Sequence, residues 1–166
     1  MLCYPKTCET ALTAIEIPKS LEKAHVSWTY SKDCDGPFEN CENLKKVTFE
    51  KGTTQVAECL FAGCTGLETI SIPDTITKIS RYAFYKCNNL KSAELSDSIT
   101  YIGVGAFSDC TNLVNTELPI SLTEIERCAF GNTAITNIRI PKSLEKAYVS
   151  WTYSKDCDGP FENCEN

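Results

Sequence analysis

The chain has 166 residues, 42% of them hydrophobic, with a formal net charge of −6 and a pI near 4.9. That apolar content calls for a packed domain and not a disordered tail, while the acidic balance lacks the basic stripe that nucleic acid requires. No apolar run approaches the ~18 residues of a membrane helix, and Leu2-Cys3-Tyr4 leads straight into Pro5-Lys6-Thr7, without the charged-then-apolar layout of a signal peptide.

Met1-Leu2-Cys3 is joined to an incomplete repeat, in which Pro18 takes the place of the Pro that follows the strand. From there one unit recurs. Phe38-Cys41-Leu44, Phe61-Cys64-Leu67, Phe84-Cys87-Leu90 and Phe107-Cys110-Leu113 follow one another every 23 residues. Phe130 keeps the period with Thr133 in the Cys position, and Phe161-Cys164 opens a further copy. A fixed period of this length marks a solenoid, in which each unit buries its apolar face by stacking on the next.

Within each unit the Leu leads into apolar-polar alternation, as in Leu67-Glu-Thr-Ile70-Ser-Ile72, which predicts a short strand. Pro73, Pro119 and Pro141 follow such stretches and end the strand, because proline donates no ladder hydrogen bond. A second apolar pair comes next: Ile76/Ile79, Ile99/Ile102 and Leu122/Ile125. Val56, Ile79, Ile102 and Ile125 each lie five positions before the following Phe. Six of the seven Phe residues share one column, which is expected to form the spine of the core.

This pattern resembles the BspA-type leucine-rich repeats of bacterial and protist surface proteins. Leu67 through Cys87 (LETISIPDTITKISRYAFYKC) carries the motif, as do Leu90 to Cys110 and Leu113 to Thr133. Ala93 and Thr116 in place of larger aliphatics, Ser96 in place of Pro, and the shortened step after Phe130 depart from it. The resemblance implies a mainly β, right-handed leucine-rich-repeat solenoid of short strands and turns with little helix, forming a single unit over residues 1–166. It also implies an exported, extracellular or cell-surface protein whose export signal lies outside this stretch; a cytoplasmic location is the alternative.

A larger duplication overlies the small one. Residues 18–43 return as residues 141–166, differing only at His25 against Tyr148, at an offset of 123 residues. Four ordinary periods and one of 31 make up that offset. Neither end shows the polar cap that a terminal repeat needs, so the chain is expected to be a fragment of a longer array or a protein that stacks end to end.

The eleven cysteines fit three readings. Cys41, Cys64, Cys87, Cys110 and Cys164 share one column and face inward beside the Phe, where a free thiol serves as a small hydrophobe. Adjacent rungs ~4.8 Å apart leave bridging geometrically open. Structural zinc would need close pairs with Cys or His partners, and only Cys3-x4-Cys8 and Cys59-x4-Cys64 come near, with His25 the sole histidine. No metal or other cofactor is expected. Catalysis is not expected either: a Cys nucleophile needs a nearby base, and His25 is replaced by Tyr148 in the sister copy.

Two surfaces are binding candidates. One is the outward face of the longer strands, which the family places on the concave side: Lys46, Thr48, Thr69, Ser71, Ser92, Glu94, Asn115, Glu117, Asn137 and Arg139. These positions vary from turn to turn while the inward ones hold steady, and a polar, mixed-charge strip suits an extended protein or glycan and not a deep small-molecule pocket. The other is an insertion: Phe38 and Phe161 lie fourteen positions, and not five, after Ala24 and Ala147. It carries Trp28 and Tyr30, repeated as Trp151 and Tyr153, residue types favoured as interface anchors. The leading expectation is a non-catalytic adhesion or recognition module for an extracellular protein or glycan, with end-to-end self-association as an additional contact. A structural spacer with no ligand of its own is the alternative.

Overall fold

The computed structural model describes residues 12–23, 36–144, 146–147 and 159–164, the side chains of Lys146 and Ala147 excepted. Strands and turns dominate; the only helical element among these residues is a 3-10 turn at Lys19–Lys23. Ten short strands pair exclusively in parallel. They are β1 (Ala14–Ile17), β2 (Lys46–Phe49), β3 (Gln55–Val56), β4 (Thr69–Ser71), β5 (Lys78–Ile79), β6 (Ser92–Glu94), β7 (Tyr101–Ile102), β8 (Asn115–Thr116), β9 (Glu124–Ile125) and β10 (Lys146–Ala147).

The four turns from β2 to β9 each contribute one strand to each of two faces, β1 adds one to the first and β10 one to the second. On one face β1 pairs with β2, and β4, β6 and β8 form a separate ladder. On the other, β3, β5, β7, β9 and β10 make one continuous ladder. The register is set by the repeat: Ile70 lies beside Ala93 and Ala93 beside Thr116, while Val56, Ile79, Ile102 and Ile125 follow one another on the second face. This is the expected leucine-rich-repeat solenoid.

The core is the set of repeat columns. Phe61, Phe84, Phe107 and Phe130 are fully buried, as are Leu44, Leu67, Leu90 and Leu113. The Phe rings stack from Phe38 to Phe161, with centroid separations of 6.0, 5.3, 5.1, 5.1 and 5.5 Å. The seventh, Phe49, meets the Phe61 ring edge-on at 6.5 Å. Two of the departures from the motif are absorbed in the ladder: Ala93 is buried, and half-buried Thr116 donates its hydroxyl to the Ala93 carbonyl at 3.0 Å.

The corner carrying the Phe column holds its own backbone ladder. Phe61, Phe84, Phe107 and Phe130 each donate N–H to a carbonyl of the next turn, at 2.9, 2.8, 2.7 and 2.8 Å. The residues two before and two after Phe adopt positive φ. Cys59, Tyr82, Gly105 and Cys128 form one such column; Asn40, Gly63, Lys86, Asp109, Asn132 and Asn163 form the other. For a non-glycine residue this conformation costs about 1–2 kcal/mol, and it persists because the amide of each of these residues that precedes a further turn is tied to it, as in Tyr82 N–H to the Val104 carbonyl at 2.9 Å.

The cysteine column needs a correction at one position. Cys64, Cys87 and Cys110 are free and buried, and half-buried Cys164 is free as well, as the small-hydrophobe reading expects. Cys41, however, is disulfide-bonded, and so is Cys128. The free thiols also do more than fill space. Each donates S–H to the Phe carbonyl of the preceding turn: Cys64 to Phe38 at 3.0 Å, Cys87 to Phe61 at 3.2 Å, Cys110 to Phe84 at 3.1 Å and Cys164 to Phe130 at 3.2 Å. Thr133, which takes the Cys place, is buried with its hydroxyl on the Phe130 carbonyl at 2.9 Å.

Candidate functional site

The outward strip of the first face is built by strand pleating. In a strand, alternate side chains point to opposite faces, so burying Ile70 and Ile72 leaves Thr69 and Ser71 in solvent. The register then aligns Thr69, Ser92 and Asn115 in one row and Ser71 beside Glu94 in a second. Lys46 and Thr48 lie beside Ala14 and Glu16 in the β1–β2 pair. Nine of the ten predicted strip residues are exposed, and Ser92 is half-buried. Glu117, Asn137 and Arg139 continue the strip in sequence but lie outside the strands. Trp28, Tyr30, Trp151 and Tyr153 lie outside the described residues.

The strip is polar. Its chemistry changes along the coil from the Lys46 ammonium, through the hydroxyls of Thr48, Thr69, Ser71 and Ser92, to the carboxylates of Glu94 and Glu117. At its edge Lys91 pairs with Glu68 at 2.8 Å, and this contact holds the Glu68 carboxyl below the usual carboxylate range. Both partners are well exposed, so the pair contributes little to stability. Such a row of donors and acceptors on a rigid ladder can engage an extended ligand along several turns. It offers no enclosed volume for a small molecule.

The second face carries features that the sequence did not announce. A threonine ladder runs along it: Thr77, Thr100 and Thr123 each direct both amide and hydroxyl to the carbonyl of the threonine one turn earlier, the amides at 2.9, 2.9 and 3.0 Å. At the first rung among the described residues the Glu22 carboxylate takes both Thr54 donors, at 2.9 and 3.1 Å. The Thr54 amide bond is the main reason the Glu22 carboxyl sits below its ordinary range.

Beside this cap lies a shallow groove of about 360 Å³, lined by Glu22, Lys23, Gln55, Glu58, Lys78, Ser80, Arg81 and Tyr101. Most of its charged groups are already engaged. Arg81 pairs with Glu58 at 3.2 Å, the Lys78 ammonium lies 4.7 Å over the Tyr101 ring, and the Tyr101 hydroxyl donates to Glu126 at 3.1 Å. Burial first, and then Glu126, push the Tyr101 hydroxyl up to about 12, so it is a phenol and not a base at neutral pH. On the Phe corner, Tyr82 and Tyr85 form an edge-to-face pair at 5.4 Å, with the Lys86 ammonium 5.0 Å from the Tyr85 ring. Among the described residues no group of three or more His, Cys, Asp or Glu could hold a metal ion, and no helix is long and apolar enough to cross a membrane.

Comparisons with known proteins agree with this architecture. The model of the BspA-type leucine-rich repeat region matches residues 34–157 in six copies. Three solved structures share the fold over 80% of this chain. A leucine-rich cell surface protein from Faecalibacterium prausnitzii is 31% identical with a TM-score of 0.63, and the match covers 34% of that protein. A T. pallidum leucine-rich repeat protein is 28% identical with a TM-score of 0.65 and is covered over 60% of its length. A leucine-rich repeat protein from Bacteroides ovatus, 24% identical with a TM-score of 0.51 and 38% covered, supports the fold alone. The chain thus spans about a third to three-fifths of the proteins it matches. Among curated proteins none matches. With the family's motif matched over most of its length, the chain belongs to the BspA-type leucine-rich repeat family.

Proposed function

We propose that the chain is a non-catalytic recognition module that binds an extended protein or glycan at a cell surface through the outward strip of its first face. One observation carries the reading. The ladder holds Thr69, Ser92 and Asn115, and Ser71 and Glu94, in aligned rows whose chemistry changes from turn to turn, while the Phe and Leu columns of the core repeat unchanged. A protein whose turns only held something at a distance would need the constant column and not the varied one. The surface location rests on the family and on the F. prausnitzii relative described as a cell surface protein. The test is a panel of extracellular-matrix proteins, host-cell surfaces and glycans presented to the folded chain. Saturable binding to one class supports recognition; silence across the panel, from protein shown to be folded, leaves the spacer reading and overturns this one.

A further inference from the structure

The charges of the middle turns are sorted by sign. Residues 52–74 carry three carboxylates and no Lys or Arg, residues 75–93 four cations and no Asp or Glu, and residues 94–117 four carboxylates and again no Lys or Arg. One cationic turn therefore lies between two acidic ones, in a chain whose net charge is −6. The groove on the second face opens where this cationic turn approaches Lys23. Gln55 lies between the two. Lys78 stands beside it in register, and on its other side the Gln55 amide donates to the Glu22 carbonyl, one residue before Lys23. Both ammoniums line the groove, and neither enters an ion pair among the described residues. The Tyr101 ring beneath Lys78 attracts that ammonium without cancelling its charge. The two carboxylates of the lining are committed elsewhere: Glu22 accepts both Thr54 donors, and Glu58 holds Arg81.

We propose that this groove binds one sugar residue bearing an anionic substituent, a carboxylate or a sulfate, which sits over Gln55 between the Lys23 and Lys78 ammoniums. The volume of about 360 Å³ is at the small end of ligand sites and suits a single ring, and the shallow walls let that ring belong to a longer chain. The acidic turns on either side repel the same substituent, so the cationic turn is the one register it can take. A sugar fits better than an acidic peptide. β3, β5, β7, β9 and β10 form one continuous ladder, so an extended peptide finds no open strand edge across the groove to bond with its main chain. Recognition falls to side chains: Gln55 and the half-buried Ser80 hydroxyl offer partners to ring hydroxyls, and the half-buried Tyr101 ring offers an apolar surface to ring C–H groups. The groove lies on the second face and not on the outward strip, so this site stands independently of the recognition reading.

The test is titration calorimetry of the full chain with a galacturonate trisaccharide, a sulfated heparin fragment, a neutral galactose trisaccharide, inorganic sulfate and a glutamate hexapeptide. Saturable binding of the galacturonate or the heparin fragment is expected, weakened by added salt and absent for the neutral sugar; the tighter of the two acidic sugars identifies the anion. Lys78→Glu should weaken that binding at least about tenfold, and Lys23→Glu, at a second exposed side chain of the groove, should act in the same direction. Lys91→Glu makes the same change in net charge on the first face and should leave binding unchanged. Melting curves establish that each variant is folded. No binding of either acidic sugar overturns the proposal. So does equal weakening by Lys78→Glu and Lys91→Glu, which marks a net-charge effect, or binding of the neutral sugar, inorganic sulfate or the glutamate peptide as tight as that of the acidic sugar.

Discussion

Phe107→Ala is the sharpest probe of how the coil holds together. The Phe107 side chain is fully buried, with Phe84 on one side at 5.1 Å and 7° and Phe130 on the other at 5.1 Å and 5°. Truncating a buried Phe costs about 3–5 kcal/mol, and each of two ring pairs adds about 0.5–1.5 kcal/mol that the burial figure only partly contains. A loss of roughly 4–6 kcal/mol is expected, a large share of the ~5–15 kcal/mol that stabilises a typical domain. Phe161 has one described ring neighbour, Phe130 at 5.5 Å, and is half-exposed; Phe161→Ala should cost roughly 2 kcal/mol, about half of the buried value. Phe107→Leu keeps most of the buried area and loses the two stacks, so it should cost the least of the three, about 1–2 kcal/mol. Urea unfolding followed by circular dichroism gives all three. If Phe161→Ala costs as much as Phe107→Ala, neighbour stacking along the column is not what stabilises a turn.

Two further outcomes follow from the cap and the thiols. Glu22 has a folded-state pKa below its unfolded value, so its contribution is complete above the unfolded value and is lost as pH falls through the folded one. Thermal melts should therefore drop on acidification through and below the ordinary carboxylate range, and Glu22→Ala should lower the melting temperature at neutral pH and flatten that part of the profile. An unchanged profile would show that the carboxylate does not cap Thr54. Burial pushes the Cys64 and Cys87 thiols well up, and both side chains are sealed from solvent. Neither should react with a maleimide in the native chain, both should react once urea unfolds it, and mass spectrometry of the labelled peptides reads the difference; rapid native labelling of either would contradict the buried column.

The core was legible in the sequence because a solenoid repeats its interior. Phe61, Phe84, Phe107 and Phe130 recur at one spacing since each must lie over the last, and the Leu and Ile columns follow for the same reason. The outward strip was legible through pleating, once the inward residues were known. Other features depend on which turn lies next door. Positive φ at Tyr82 and Lys86 carries no glycine signal, because the inter-turn hydrogen bonds and not the residue type hold that conformation. Glu22 reads as one more exposed carboxylate until Thr54 is seen to direct both its donors to it. Asn137 and Arg139 have the alternation of a strand yet form none, although the matching Ala14–Ile17, with β2 laid against it, does. The column pattern likewise did not separate Cys41, which is disulfide-bonded, from the free thiols that share its place.

The measurement that bears most directly on recognition is the location of binding. A ligand found on the panel would be titrated against the chain, a Glu94→Lys/Glu117→Lys variant of the strip, and a Trp28→Ala/Trp151→Ala variant. Strip recognition predicts that the charge reversal weakens binding at least about tenfold, equivalent to ~1.4 kcal/mol, while the tryptophan variant stays close to the parent. Binding that survives the charge reversal and disappears with the two tryptophans would contradict it and place recognition on the insertions.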